Sequence, residues 1–282
     1  MEIRTANGHS LSVVKFFSKI ELNHAIVISS ATGVLQKYYS KFANYCALKG
    51  FTVYTFDYSG IGNSIHNLKA LKEYQGNLRS WGSNDQSAVV ALAKKENKKA
   101  SITLITHSIG GQLLGFNSNY HLIDSSILIA SQSGYWKYFN GIHLPKMWLL
   151  WHVIIPILTP IFGYFPSKKM GLFENLPKNV VYEWASWGKQ EKYMMHFQNK
   201  KEYYFDLLKI PILSLSFSGD HFAPRKTVDW LSSQYKNGKI ERVHHHITEK
   251  EREVKHFGFF KSAFKDPFWG NTLQWILTKR YQ

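Results

Sequence analysis

The chain has 282 residues and a formal net charge of +16, from 35 Lys and Arg against 19 Asp and Glu. This length accommodates one large α/β domain with an insertion, or two modest domains, and excludes a scaffold too small to bury a core. The single cysteine, Cys46, excludes an intramolecular disulfide and lies in an apolar helical pattern that predicts burial. The first residues lack the charged-then-apolar profile of a signal peptide, so a cytoplasmic location is the expectation.

The positive charge suits an anionic partner, but its distribution argues against nucleic acid. Lysines occur as scattered pairs, such as Lys94-Lys95 and Lys168-Lys169, without an arginine-rich stripe or a recognition motif. Such pairs are typical of solvated faces. We therefore expect no specific nucleic-acid partner, and weak association with an anionic membrane surface stays open. The sequence does not indicate an oligomeric state.

Short β-branched or aromatic runs alternate with helical patterns, which predicts a mainly parallel sheet with helices on both faces. The predicted strands are Ser10–Phe17, Ala25–Ser30, Phe51–Tyr58, Ala100–Thr106, Ser125–Ala130, Pro211–Phe217 and Ile240–Ile247. The predicted helices are Gln36–Lys49, Asn84–Lys95, Gly110–Ser118, Arg225–Tyr235 and Asn271–Tyr281.

This alternation stops in residues 134–205, where aromatic residues and prolines are frequent. The apolar run Met147–Phe165 is near the length of a membrane span, but His152, Pro156 and Pro160 interrupt it. An inserted helical cap with an apolar inner face is the favoured interpretation; the alternatives are a transmembrane helix and a helical extension without ligand contact. The predicted domains are a core of residues 1–133 and 206–282 and a cap of residues 134–205.

The stretch from Ser101 to Gln112 is an apolar strand that runs into a serine and two glycines. A serine hydroxyl attacks a carbonyl only when it is activated and exposed, and a sharp strand-to-helix turn exposes it. Ser108 is therefore the candidate nucleophile, and Gly110 and Gly111 let the following helix pack closely. Thr106 stands where the G-x-S-x-G pattern has its first glycine.

A nucleophilic serine needs a base and an orienting carboxylate, each at the carboxyl end of a strand. Asp220 follows the predicted strand Pro211–Phe217 and is the candidate carboxylate, although an aspartate in this position also suits a turn or a helix N-cap. His256 lies in a loop before the C-terminal helix and is the preferred base. His244 and His246 fall within a strand and lack assignable further ligands, so we expect no metal site there.

Two backbone N–H groups must hold the oxyanion. Ile109, directly after the candidate nucleophile, supplies one. The other is expected from the loop after the strand Ala25–Ser30, where Thr32 is chosen and Ala31 is the alternative. No metal or organic cofactor is required for this chemistry.

These motifs together, over nearly the whole chain, resemble the α/β-hydrolase superfamily, close to its serine-aminopeptidase and monoacylglycerol-lipase-like branch. Thr106–Gly110 is similar to the nucleophile elbow, Asp57–Ser64 to the D-x-R-G-x-G-x-S loop, and Ala31–Tyr39 to the H-G-x-G loop with its aromatic pair. Asp220 and His256 match the acid and base positions. The resemblance implies an eight-stranded sheet, a helical cap and hydrolysis of esters or amides.

The sequence thus predicts a serine hydrolase that acts on a small-molecule acyl substrate, with an apolar acyl or aryl group suggested by the aromatic cap. An acyltransferase that uses the same acyl-enzyme is one alternative. A non-catalytic binding or membrane-peripheral protein on a hydrolase fold is another, favoured by the positive charge and by the departures from the family pattern at Ser30, Ser59 and Thr106.

Overall fold

The computed structural model describes residues 1–20, 22–197, 203–246 and 253–281. Eight of its strands form one sheet in the order β1-β2-β4-β3-β5-β6-β9-β10, and β7 pairs with β8. The strands are β1 (Glu2–Arg4), β2 (Ser10–Phe16), β3 (His24–Ser29), β4 (Thr52–Phe56), β5 (Ser101–His107), β6 (Ser125–Ile129), β7 (Tyr164–Phe165), β8 (Leu176–Pro177), β9 (Pro211–Phe217) and β10 (Lys239–His245).

The large sheet is parallel from β4 through β10, and β1 and β2 are antiparallel at one edge. Its central strands read as continuous apolar runs because helices cover both faces. In β3, Ile26 and Ile28 face one buried cluster, and Ala25 and Val27 face the other. Parallel strands end at the same edge, so the loops after β3, β5 and β9 converge there.

Helices cover both faces of the sheet and fill the segment between β6 and β9. Cys46, on the first of them, is fully buried, as the sequence predicts. They are α1 (Ser40–Leu48), α2 (Leu68–Glu73), α3 (Leu78–Ser80), α4 (Ser87–Glu96), α5 (Ile109–Leu113), α6 (His143–Leu149), α7 (Ile155–Phe162), α8 (Lys178–Gly188), α9 (Arg225–Gln234) and α10 (Gly270–Thr278).

The sheet and its covering helices confirm the predicted α/β-hydrolase architecture. The short edge strand β1 is absent from the predicted elements, because its three residues carry too little pattern to read. The predicted helix from Gln36 begins as a 3₁₀ turn and becomes α-helical only at Ser40. The predicted end of the last strand, Ile247, lies outside the described residues.

Between β6 and β9 the described chain is mostly helical and crosses the carboxyl edge of the sheet. Helices α6 and α7 join through a π-helical turn at Leu150–Ile154, which gives one continuous helix from His143 to Phe162. By length and composition this 20-residue helix is able to cross a membrane, and only 17% of its most apolar window is buried. Gly163, in a left-handed conformation at φ 76°, ends it. The domain limits given by the sequence remain a prediction.

Candidate active site

Ser108 lies between β5 and α5 in a strained backbone conformation, with φ 54° and ψ −115°. A positive φ is rare for a residue with a side chain and persists only where the surrounding structure enforces it. Here β5 lies between β3 and β6, and the Ser108 amide donates to Ile129 O at 3.0 Å. The turn therefore presents the Ser108 side chain at the carboxyl edge of the sheet.

The two glycines after Ser108 are required by close packing. A Cβ on Gly110 would lie 2.8 Å from Ser29 O, and one on Gly111 would lie 2.3 Å from Ser131 Oγ and 3.0 Å from Thr106 Oγ1. Gly111 thus leaves the space that the branched Thr106 side chain occupies. The buried Thr106 hydroxyl donates to Ile127 O on β6 at 3.2 Å. The absence of a side chain at Gly111 therefore accommodates Thr106 at the position where the family pattern has a glycine.

Asp220 and His256 come together beside this turn. His256 Nδ1 lies 2.9 Å from Asp220 Oδ2, and both side chains are buried. Asp220 Oδ1 accepts the amides of Phe222 and Ala223, each at 2.9 Å. One carboxylate oxygen therefore closes the turn after β9, as the alternative interpretation of this aspartate expects, while the other orients the imidazole.

Ser108 and His256 line one cavity of about 170 Å³, although no hydrogen bond joins them among the described residues. The Ser108 hydroxyl instead faces the Gln132 side-chain amide, with Oγ 3.4 Å from Oε1 and 3.3 Å from Nε2. Both contacts are long, and hydrogen bonds at catalytic sites are often loose without substrate.

The loop after β3 distinguishes the two candidates for the second oxyanion donor. The Ala31 amide donates to Tyr39 Oη at 2.8 Å and is therefore occupied. Across the described residues, the amides of Thr32 and Ile109 donate to no protein acceptor. Thr32, like Ser108, lines the cavity. Two backbone N–H groups without protein acceptors, one of them beside the candidate nucleophile, are the kind of donors that an oxyanion site needs.

A series of hydrogen bonds that the sequence does not predict connects the Ala31 amide to the His256 backbone. Tyr39 Oη, which accepts from Ala31, lies 2.9 Å from His107 Nδ1, and His107 Nε2 lies 2.9 Å from His256 O. Since a carbonyl only accepts, Nε2 carries the proton and Nδ1 accepts from the tyrosine. Burial chiefly, together with electrostatic interaction with the neighbouring His256 ring, lowers the pKa of His107 well below its usual value, so the His107 ring stays neutral. The motif letters alone gave His107 no role because its partners are distant in sequence.

The D-x-R-G-like loop holds the neighbouring backbone. Asp57 Oδ1 accepts the Gln36 amide at 2.7 Å and thereby ties the loop after β4 to the loop after β3. Ser59, at the usual arginine position, donates its amide and hydroxyl to Asp85 at 2.8 and 2.9 Å. A hydroxyl brings no positive charge, so burial raises the pKa of Asp85 to about 7.

The strand histidines lie apart from this cavity. His244 Nδ1 contacts Ser216 Oγ at 2.6 Å, and its ring lies 4.7 Å from that of His246, centroid to centroid. Within the described ranges, no group of three or more His, Cys, Asp or Glu side chains is arranged to hold a metal ion.

Fold and site together define the class of α/β hydrolases, and comparison with known sequences identifies the family. The profile of the serine aminopeptidase S33 family matches residues 21–165, just over half of the chain. The chain belongs to this family of α/β hydrolases and is a serine hydrolase. No curated protein sequence matches it significantly.

Solved structures show the same fold at low sequence identity. A soluble variant of monoglyceride lipase from Saccharomyces cerevisiae, in complex with a substrate analogue, has a TM-score of 0.72 at 12% identity, covering 100% of this chain and 96% of its own. A thermostable carboxyl esterase from Bacillus coagulans has a TM-score of 0.70 at 10% identity, covering 99% and 97%. Est1E from Butyrivibrio proteoclasticus, bound to ferulic acid, has a TM-score of 0.61 at 15% identity, covering 99% and 98%.

Proposed function

We propose that the protein hydrolyses carboxylic esters of small molecules through an acyl-enzyme on Ser108, with Asp220 and His256 completing the triad. The observation that carries the proposal is the meeting of three features in one place. Ser108 lies in the strained turn after β5, the His256–Asp220 pair is 2.9 Å apart, and both Ser108 and His256 line the same cavity. Acyl transfer to a serine needs these features together, with the hydroxyl coming within hydrogen-bond reach of the imidazole when substrate binds.

In the first half-reaction the Ser108 hydroxyl attacks the ester carbonyl while His256 Nε2 takes its proton. Asp220 accepts from Nδ1, holds the required tautomer and stabilises the imidazolium that forms. The open amides of Thr32 and Ile109 donate to the tetrahedral oxyanion. The imidazolium then protonates the leaving alcohol, and the acyl group remains on Ser108.

In the second half-reaction water attacks the acyl-enzyme. His256 removes a proton from the water, the same two amides hold the second oxyanion, and the carboxylic acid leaves as Ser108 regains its proton. Gln132 contacts the Ser108 hydroxyl and lines the cavity, so it is placed to hydrogen-bond either the resting serine or the incoming water.

An apolar acyl or aryl group suits the rest of the cavity. Aromatic and aliphatic side chains from the segment between β6 and β9 form most of its wall. They are Phe139, Met147, Leu150, Trp151, Ile155, Phe165, Leu172, Phe173, Leu176, Val181 and Trp184. Burial of apolar substrate surface against such a wall stabilises binding by about 25 cal/mol per Å².

Labelling with a fluorophosphonate probe tests the nucleophile. We expect a covalent adduct on the wild type and none on Ser108→Ala. Ser167→Ala is the matched control, because Ser167 is a buried serine that lines the same cavity without the turn or the histidine. A folded wild type that forms no adduct, or equal loss of the adduct in both variants, contradicts the mechanism.

The acyl preference has a separate test. With p-nitrophenyl esters of increasing acyl length, kcat/KM should rise beyond acetate as more of the chain contacts the wall. Cleavage of acetate alone would contradict the apolar substrate. Released acid is the expected product, and a transferred acyl group in the presence of added alcohol would favour the acyltransferase alternative.

A further inference from the structure

The continuous helix His143–Phe162 exposes large apolar side chains. Ile142 at its N-cap and Leu149, Ile157 and Ile161 within it recur at helical spacing and are 42 to 69% exposed. Soluble proteins seldom leave a helical stripe of this kind uncovered. We call these four residues the exposed helix face.

The opposite side of the same helix is committed to the protein. Trp151, Ile155 and Thr159 are buried, and Trp151 Nε1 donates to Gly134 O at 2.9 Å. A helix that packs along one side lies on the surface of its domain and does not stand free to cross a bilayer. The apolar side chains of this span that lack packing therefore lie along the outer side of the helix, where an external apolar surface could cover them.

The rim of the active-site cavity exposes a second apolar group. Leu172, Phe173 and Phe222 line the cavity and are also 53%, 42% and 58% exposed. The segment that leads to Leu172 and Phe173 lies beside the end of the helix, since Lys169 Nζ is 4.6 Å from the Phe162 ring centroid. We take the exposed helix face and the rim as neighbouring parts of one surface.

The charge of the residues around this surface indicates which kind of partner it binds. The sequence contains no acidic residue between Asp124 and Glu174, whereas Lys137, Lys146, Lys168 and Lys169 fall within that stretch. All four lysines are exposed, although Lys168 Nζ pairs with the cavity residue Glu174 at 2.7 Å, so Lys137, Lys146 and Lys169 carry the argument. Apolar side chains flanked by lysines fit an anionic phospholipid surface, where the side chains enter the acyl boundary and the amines contact phosphate.

We propose that the exposed helix face and the cavity rim dock the protein on an anionic phospholipid membrane, so that acyl substrates enter the cavity from the lipid. The docking stands on surface features alone. The delivery of substrate rests on the proposed ester hydrolysis. Delivery from the lipid specifies the substrate class as an amphiphilic ester that resides in a bilayer.

Co-sedimentation with vesicles tests the docking. The full chain should bind phosphatidylcholine–phosphatidylglycerol vesicles at low salt, bind pure phosphatidylcholine less, and lose much of its binding at about 0.5 M salt. In Ile157→Asp/Ile161→Asp the apparent partition coefficient should fall about tenfold or more. Leu48→Asp/Leu277→Asp is the matched control, since both residues are exposed leucines on helices elsewhere, and it should bind like the wild type.

A second pair of variants separates local charge from the net charge of +16. Lys146→Glu/Lys169→Glu and Lys98→Glu/Lys99→Glu change the total charge equally, and all four lysines are exposed. Only the first pair should weaken vesicle binding. Equal weakening by both pairs, no binding of the wild type at low salt, or equal binding by the two apolar pairs would each overturn the proposal.

Two further measurements distinguish this inference from the proposed function and from self-association. Ser108→Ala should still bind vesicles, and Ile157→Asp/Ile161→Asp should keep wild-type turnover of a water-soluble ester while losing turnover of a vesicle-borne one. Vesicle binding without turnover of any ester would reject the hydrolysis and leave the docking standing. A wild-type dimer that Ile157→Asp/Ile161→Asp converts to monomer would assign the surface to a second copy and overturn the docking.

Discussion

The surroundings of Ser108 and the segment above them are stabilised in different ways. Around the turn, buried polar side chains have defined partners: Asp220 holds His256, and His107 holds the His256 backbone. In the helix His143–Phe162, apolar packing fixes one side, and the other side stays exposed. Hydrogen bonds specify geometry to a fraction of an ångström, whereas apolar contacts accept substitutes of similar volume. The chemistry should therefore be sensitive to single atoms near the turn and tolerant of changes in the helical segment.

The largest effect is expected from His256→Ala. Loss of the general base should lower kcat for a soluble ester by about 10⁴- to 10⁶-fold. His221→Ala is the matched control, because His221 directly follows Asp220 but is exposed and stacks on His143, with ring centroids 4.4 Å apart. It should stay within about twofold of wild type. Comparable losses in the two variants would show that the loop, and not the His256 ring, carries the effect.

Asp85 gives a pH dependence of stability. Its pKa is raised by burial to about 7, above the ordinary value of 3.8, so between these values the folded chain keeps a proton that the unfolded chain loses. The free energy of unfolding therefore falls as pH rises through this window, by up to about 1.4 kcal/mol per pH unit from this group, and levels off above about pH 7.

Asp85→Asn isolates this contribution. The asparagine stays neutral, so wild type should lose stability relative to the variant as pH rises from about 4 to about 7. Urea unfolding at several pH values measures the difference. A difference that stays constant with pH would mean that Asp85 ionises alike in the folded and unfolded chains, and its hydrogen bonds to Ser59 would then be sufficient to hold the charged form.

Tyr39→Phe removes the hydroxyl oxygen from the series of hydrogen bonds that joins Ala31, His107 and the His256 backbone. Two buried groups then lose their partner, so the free energy of unfolding should fall by about 1–3 kcal/mol. We expect kcat to fall by about tenfold with little change in KM, because the oxyanion loop and the imidazole lose their common support. Tyr45→Phe, on the adjoining helix α1, is the control and should leave kcat unchanged. An unchanged kcat in Tyr39→Phe would show that these hydrogen bonds have a purely structural role.

The sequence predicts the sheet and the order of the candidate triad because both depend on local signals. Apolar runs mark β3 and β5, and Ser108, Asp220 and His256 each follow an element that can be read along the chain. Partners that meet only through folding leave no such signal. Nothing in the sequence near Gln132 indicates contact with the Ser108 hydroxyl, which comes from the packing of β5 beside β6.

The smallest effect is expected where the two regions share hydrogen bonds. Trp184 Nε1, on α8, donates to Tyr193 Oη at 2.8 Å. Tyr193 donates to Gln112 Oε1 at 3.0 Å, and Gln112 Nε2 donates to Gln132 O at 2.6 Å, beside the nucleophile. Trp184→Phe keeps an aromatic ring in the cavity wall and removes only the first donor. It should cost about 1 kcal/mol of stability.

Turnover decides what this connection does. If the helical segment shapes only the acyl site, Trp184→Phe should change kcat for acetate by less than about twofold while altering the preference among longer acyl chains. Trp148→Phe is the control, because Trp148 is partly exposed and does not line the cavity. A large fall in kcat for acetate in Trp184→Phe alone would show that this relay sets the position of Gln132 beside Ser108. The helical segment would then belong to the catalytic geometry as well as to the acyl site.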